Sequence, residues 1–359
     1  MEQLENIAGM LDLMVRPAFC VKDGIIAAAN QGATSRLITA GTPIRELLLT
    51  GREEYRHFND GCLYLTLNLD GQHAGASVTK QGDYDVFILE QDADQAELHA
   101  MALAAQELRE PLAGVMTVAD RLFPVIGNQL GNQDQVARIN RGLFQMLRVI
   151  SNMSDAARYQ QESEQILEIR DVTGILEELF RNSAALIGQT DILVTFRNLP
   201  QKVFTLVDVE KLERAVYNIL SNAIKFTPKG GTIEAFLTKQ DKMLYLTVQD
   251  SGSGVDPAIR SNIHSRYLRQ PGVEDGRFGI GLGMVLIRAA AAAHGGTVLM
   301  EHPKGQGARI TMTMEIRQDT AGNLRSKVMR VDYAGERNHS LIELADALPA
   351  ALYKKEEIN

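Results

Sequence analysis

Apolar residues recur every three or four positions along two long stretches of this chain, and this repeat limits its folding more than any other feature. In the first stretch Leu98, Met101, Ala105, Leu108, Leu112, Val115, Ala119 and Leu122 fall in alternating steps of three and four. In the second, Val136, Ile139, Leu143, Met146, Ile150, Met153 and Ala157 do the same. Such spacing puts one apolar stripe along a helix, the seam of helices that pack side by side. Residues 127–134, rich in Gly, Asn and Gln, read as a turn, so residues 93–163 are expected to be a two-helix hairpin. One hairpin cannot bury its seam alone. Two copies form a four-helix bundle, so a homodimer through the helical hairpin is expected. The competing arrangement packs the hairpin on other domains of its own chain.

At 359 residues the chain exceeds one ordinary core, and several domains are expected. Its formal net charge of −8 argues against a nucleic-acid or anionic-membrane partner. Two cysteines, Cys20 and Cys62, make no disulfide framework and fit a reducing compartment. No apolar run reaches membrane-spanning length, and Glu2 and Glu5 stand where a secretory leader carries basic residues. A cytoplasmic location is expected.

Residues 1–92 read as α+β. Phe19–Val21 and Ile25–Ala27 flank Asp23-Gly24, a hairpin turn signal. Helical text runs from about Asn30 to Leu49. Strand-like runs follow at Cys62–Leu69, His73–Thr79 and Tyr84–Leu89, separated by Asp70-Gly71 and Gln81-Gly82. Two strands, short helices and three antiparallel strands, with Val21-Lys22-Asp23-Gly24 and Ala29-Asn30-Gln31, resemble a PAS sensor domain. His57, His73 and Cys20 read as structural residues.

Residues 166–317 alternate strand and helix text. Strands are expected at Leu193–Phe196, Val203–Leu206, Thr232–Leu237, Leu244–Val248, Thr297–Met300 and Arg309–Met314, and helices at Glu210–Phe226 and Leu282–His294. This predicts an α/β sandwich with helices on one face of a mixed sheet. Residues 318–359 form an extension that begins polar and ends in a helix. Ser340 and Glu343 read there as a capping box, with Leu341, Leu344 and Leu348 on one face.

Three short motifs in the third segment carry chemistry. Asn218, Asn222 and Lys225 stand at i, i+4 and i+7 and share a helix face. Two carboxamides and an ammonium on one stripe suit a phosphate-bound Mg²⁺. Asp250 ends a strand before Gly252 and Gly254; its carboxylate can accept from an exocyclic amine, and the glycines allow close approach to a flat base. Gly279, Gly281 and Gly283, with Leu282 among them, precede a helix whose first N–H groups favour phosphate. A dinucleotide fingerprint is excluded because its third glycine is misplaced and loop text precedes it.

Together these motifs resemble the GHKL ATPases, and specifically the catalytic domain of sensor histidine kinases. Asn218, Asn222, Lys225 and Phe226, with Thr227-Pro228, resemble the N box. Asp250 to Gly254 and Gly279 to Gly283 resemble the two glycine boxes. Ile263 to Arg269 resembles the F box, with His264 where Phe is usual. His294-Gly295-Gly296 fits as a structural turn. Ala308 stands where the family usually has Thr. The resemblance implies ATP and Mg²⁺ as cofactors, with Asn222 and Asn218 serving the metal and phosphates, Lys225 a phosphate, and Asp250 the adenine amine. It implies a response regulator or a partner kinase as the other partner.

The resemblance breaks at the phosphoacceptor. The family reads His-Glu-Leu-Arg-Thr-Pro-Leu; this chain reads Gln106-Glu107-Leu108-Arg109-Glu110-Pro111-Leu112. An amide has no basic nitrogen and cannot form a phosphoramidate as His does. Glu107 matches the residue that orients the His. Glu110 replaces the residue that often assists dephosphorylation. His99 lies seven residues earlier, about 10 Å along the helix. Two readings stay open: a regulatory pseudokinase, and an active kinase using His99 or a partner's His. A GHKL serine kinase or ATPase is disfavoured, because its Glu base would stand where Asn218 does.

Overall fold

The computed structural model describes residues 2–90, 92–127, 132–159, 166–254, 282–303, 307–317 and 338–354. The N-terminal segment opens with helix α1 (Glu2–Asp12), then strands β1 (Ala18–Lys22) and β2 (Ile25–Ala29). Asp23 and Gly24 both take positive φ (53° and 77°), the left-handed pair that a tight hairpin needs. Two short helices follow, α2 (Gln31–Thr34) and α3 (Arg52–Arg56), before β3 (Cys62–Leu69), β4 (Gln72–Gln81) and β5 (Tyr84–Leu89).

The helical text of residues 30–49 is mostly not helical. Only α2 and a single 3₁₀ turn (Ile44–Glu46) form there. Leu37 and Gly41 at positive φ break the helical path. The apolar residues Ala33, Ile38, Ile44 and Leu48 instead drop individually onto the core shared with Phe19, Leu65 and Phe87.

The hairpin is α4 (Asp92–Gly127) and α5 (Gln133–Arg158). Alternate members of its seam separate. Leu98, Ala105, Leu112, Ala119, Val136, Leu143 and Ile150 are buried, whereas Leu108 (50 %), Val115 (55 %), Leu122 (49 %), Ile139 (52 %) and Met146 (48 %) remain exposed.

The third segment comprises β6 (Glu168–Asp171), α6 (Val172–Ile187), β7 (Leu193–Arg197), β8 (Phe204–Val207), α7 (Val209–Phe226), β9 (Thr232–Gln240), β10 (Met243–Asp250), α8 (Gly283–Ala293), β11 (Val298–Glu301) and β12 (Arg309–Glu315). Sequence reading missed β6 and α6. Helix α7 starts where the Asp208 carboxylate accepts from the Lys211 N–H. Its Leu212, Val216, Ile219, Leu220 and Ala223 are buried in the same core as Ile233, Leu246 and Met312 of the sheet.

Ten strands join in one sheet of order β2-β1-β5-β4-β3-β11-β12-β10-β9-β7, and β6 pairs with β8 in a separate antiparallel ribbon. Only β7–β9 is parallel among these pairs. The two halves meet through β11 and β3, where Val298, Leu299 and Met300 face Tyr64, Leu63 and Cys62. Cys20 and Cys62 are both buried and free. No described helix is long and apolar enough to cross a membrane.

The C-terminal segment forms α9 (His339–Glu343) and a 3₁₀ turn (Ala350–Tyr353). Its start differs from the expected capping box. Asn338 is the cap, accepting from the Leu341 N–H, and Glu343 turns inward to pair with Arg214. Leu341, Leu344 and Leu348 are fully buried.

The turn after α8 is locked by His294. Its Nδ1 donates to the Ala290 carbonyl at 2.7 Å, and its Nε2 accepts from the Asp208 N–H at 3.0 Å. These roles require the neutral ring, and burial pushes the His294 pKa down to about 4. Protonation therefore favours the unfolded chain. Stability is full above the unfolded value near 6.5 and is lost as pH falls through that window toward 4, by on the order of 3 kcal/mol. Urea unfolding followed by circular dichroism at stepped pH is expected to show this loss, and His294→Asn, less stable at neutral pH, is expected to lose that part of the slope.

Candidate functional site

Helix α7 carries two kinds of surface. Its apolar side meets the sheet; the opposite stripe holds Arg214, Asn218, Ser221 and Lys225 at helical spacing. This stripe is not solvated. Asn218 and Ser221 are buried, and the Lys225 side chain is 10 % exposed. Burial lowers the Lys225 ammonium pKa against the opposing pull of Asp346.

Three elements converge on the stripe. The start of α8 contributes Gly283, where a Cβ would stand 3.0 Å from the Asn218 Oδ1. Helix α5 contributes Arg148, whose guanidinium donates to Ser221 Oγ at 3.0 Å and to Asn218 Oδ1 at 3.3 Å. The C-terminal segment contributes Asp346, at 2.9 Å from Arg148 Nη1 and 3.4 Å from Lys225 Nζ. One turn before, Arg214 sits between Asp155 of α5 (2.9 Å) and the fully buried Glu343. Burial pushes the Glu343 carboxyl up, but Arg214 overrides it and the net shift is downward. Tyr217 and Ser340 share a hydrogen bond of 2.8 Å on the same side. Asn222 is half-buried beside this cluster.

The second motif lies at the end of β10. Asp250 is buried, and its Oδ1 accepts from the Gly252 N–H at 2.8 Å and the Ala308 N–H at 3.2 Å. Desolvation raises its pKa in spite of these donors. Both of these donors fall on Oδ1, which aims the carboxylate without using the Oδ2 edge. The glycines here are packed against the chain itself. A Cβ on Gly252 would fall 2.2 Å from the Phe226 carbonyl oxygen, and one on Gly254 would overlap the His302 ring at 1.7 Å. The end of α7 and the Asp250 turn are thereby brought into direct contact.

Of the sequence-derived site residues, Asn218, Asn222, Lys225, Phe226, Asp250, Gly252, Gly254, Leu282 and Gly283 stand on α7, the β10 turn and the α8 start. Gly279, Gly281 and the segment 263–269 lie outside the described residues. Gln106 and Glu107 lie on α4 and are exposed. Sequence reading missed Arg148, Asp346, Glu343 and Arg214. Arg148 sits inside heptad text and Asp346 in an unassigned extension, so neither carried a local signal.

Residues 207–318 match the family of histidine kinase-, DNA gyrase B- and HSP90-like ATPases. The chain is 28 % identical over 242 residues to histidine protein kinase DivJ of Caulobacter vibrioides, covering 62 % of this chain and 40 % of DivJ. Sensor histidine kinase WalK of Bacillus subtilis is 25 % identical over 249 residues, covering 66 % of this chain and 39 % of WalK. Residues 207–318 thus form a domain of this ATPase family, and the chain is similar to sensor histidine kinases over about three fifths of its length. It spans less than half the length of DivJ or WalK. Full-length ShkA in complex with AMPPNP is similar over 62 % of this chain and 46 % of that one, with 23 % identity and a TM-score of 0.49. Both the α7 stripe and the β10 turn fall within the span that matches the ATPase family.

The buried Arg214–Glu343 pair ties the C-terminal segment to the ATPase helix. Removing one partner of a buried pair leaves the other charge uncompensated. Glu343→Gln is expected to destabilise the chain by on the order of 3 kcal/mol, at the low end of such changes because Asp155 still faces Arg214. Equilibrium denaturation of both proteins checks this.

Proposed function

We propose that this chain binds Mg-ATP through the α7 stripe and the Asp250 turn and acts in two-component-type signalling as a nucleotide-responsive pseudokinase. In this reading Asn218 and Asn222 hold Mg²⁺ by way of the phosphates, Lys225 holds a phosphate, and the Asp250 Oδ2 edge accepts from the adenine amine. The Gly279 to Gly283 loop is the remaining phosphate contact of this reading. The observation that carries the pseudokinase part is Gln106, an exposed amide on α4 followed by Glu107, at the position where the family presents its phosphoacceptor imidazole. A neutral carboxamide offers no nucleophilic nitrogen for the γ-phosphoryl group. Exposure also means that the residue at 106 is free of packing demands, so the chemistry is lost without loss of the hairpin.

Two further features complete the reading. The N-terminal strands in order β2-β1-β5-β4-β3, with α2 and α3 between β2 and β3, support a PAS-like sensor. The exposed half of the heptad seam, Leu108, Val115, Leu122, Ile139 and Met146, supports homodimerisation into a four-helix bundle. The partner of such a dimer is a response regulator or another kinase. In this reading the chain acts in the cytoplasm.

Incubation with γ-labelled ATP is expected to leave the wild-type chain without acid-labile phosphate, beside a Gln106→His variant as the reference for a restored acceptor. Label on the wild type would favour transfer to His99 or to a partner's His instead. Asp250→Asn is expected to weaken Mg-ATP binding at least tenfold by calorimetry, and an unchanged affinity would remove the nucleotide reading. Analytical ultracentrifugation is expected to show a dimer at micromolar concentration that Val115→Glu converts to a monomer.

A further inference from the structure

The polar stripe of α7 ends where two cations meet one carboxylate oxygen. Arg148 and Lys225 both direct their cations at one oxygen of Asp346, Oδ2, at 2.9 and 3.4 Å. The three side chains are 2 %, 10 % and 16 % exposed respectively. Two buried cations therefore share a single carboxylate. One turn before, Arg214 is held between Glu343 and Asp155, so the contacts of Asp346 are the close anionic ones that Arg148 and Lys225 make. A second, independent observation points the same way. Arg148 Nε is a buried donor with no hydrogen-bond partner among the described residues.

We propose that Arg148 is a phosphate-binding residue of the nucleotide site, supplied by the hairpin, and that Asp346 stands in the place of the nucleotide's terminal phosphate. The inference rests on the Mg-ATP reading above and adds to it a residue and an internal competitor. A guanidinium presents parallel N–H groups that suit a phosphate better than a single carboxylate oxygen. A terminal phosphate also brings more negative charge than Asp346 to the two cations that meet at its Oδ2. The triphosphate and the C-terminal segment thus compete for Arg148 and Lys225.

The competitor is held in position by several contacts. Arg141 Nε and Gln145 Nε2 of α5 each donate to the Ala345 carbonyl at 3.2 Å, and Asn140 donates to the Tyr353 carbonyl at 3.1 Å. Leu341, Leu344, Leu348 and Tyr353 are fully buried. Asp346 is thus a presented anion rather than a passing surface contact. Tight triphosphate binding then requires the segment around Asp346 to leave.

The test measures Mg-ATP and adenosine affinities by calorimetry on the full chain and its variants. Asp346→Ala, and the isosteric Asp346→Asn, are expected to tighten Mg-ATP binding at least tenfold and to leave adenosine affinity within twofold. In the Asp346→Ala background, Arg148→Ala is expected to weaken Mg-ATP at least tenfold, again without effect on adenosine. In the wild-type chain, saturating Mg-ATP is expected to speed amide exchange across residues 341–353, and adenosine is not. If ATP and adenosine bind but the Asp346 variants change Mg-ATP affinity less than twofold, the proposal is overturned and the nucleotide site stands. Unchanged exchange under saturating Mg-ATP overturns it in the same way. If neither ligand binds any variant, the nucleotide reading and this inference fall together.

Discussion

The structure depends on one helix being buried on both sides. Helix α7 gives its apolar face to the sheet, as any helix of an α/β sandwich does, but its opposite stripe is polar and also out of water. Polar and charged groups in that position must be paired, or their desolvation opposes folding. Arg148 and Asp155 come from α5, Glu343, Ser340 and Asp346 from the C-terminal segment, and Gly283 from α8. Each of these elements is fixed relative to the others because each answers a demand made by the same helix. The hairpin and the C-terminal segment are packed on the ATPase domain for that reason, and the apolar contacts of Leu143, Phe144, Leu147, Leu341 and Tyr353 fill the space between.

A second joint ties the N-terminal sheet to this assembly. Strand β11 belongs to the ATPase domain, yet its other edge pairs with β3, so the two five-stranded halves form one sheet. Arg288 of α8 reinforces the joint by pairing with Glu90 at 3.0 Å and lying over the Tyr64 ring at 4.7 Å. Backbone pairing is stiff across the strand direction. A shift of β3 either breaks these bonds or carries β11 with it. Helix α8 precedes β11 directly and begins at Gly283, against Asn218. The N-terminal half and the α7 stripe are therefore joined by three consecutive pieces of regular structure.

The periodic and turn-based features were legible before the fold was seen. The hairpin followed from apolar residues at steps of three and four, and Asp23-Gly24 marked a tight turn because its positive φ values suit few residues. The strands near 193, 232, 244 and 309 were found because alternation is a local signal. Residues 30–49 misled because an apolar residue every few positions fits a helix as well as an irregular segment that drops side chains one by one into a core. Glu343 misled for a different reason. Its spacing from Ser340 is that of a capping box, but the nearby buried guanidinium of Arg214 outweighs a solvated backbone N–H as a partner. Asn218, Asn222 and Lys225 were recognised as a stripe, while the cover over that stripe was not. Arg148 and Asp346 lie 70 or more residues from Asn218 in sequence, and no local pattern reports a contact of that range.

These contacts also change how the motifs themselves are weighed. Asn218 donates to the Arg214 carbonyl and accepts from Arg148; Gly252 makes room for the Phe226 carbonyl, and Gly254 for the His302 ring. Each has a packing reason to be what it is, in addition to any ligand. A chain can therefore keep these residues for its own cohesion even where phosphotransfer is gone. Position 106 has no such tie, being exposed on α4, and in the proposed reading it is there that the residue type departs from the family's chemistry. In the proposed reading, retained boxes beside a changed acceptor follow from where each side chain sits. The buried residues answer to both the fold and the ligand, whereas the exposed one answers to chemistry alone.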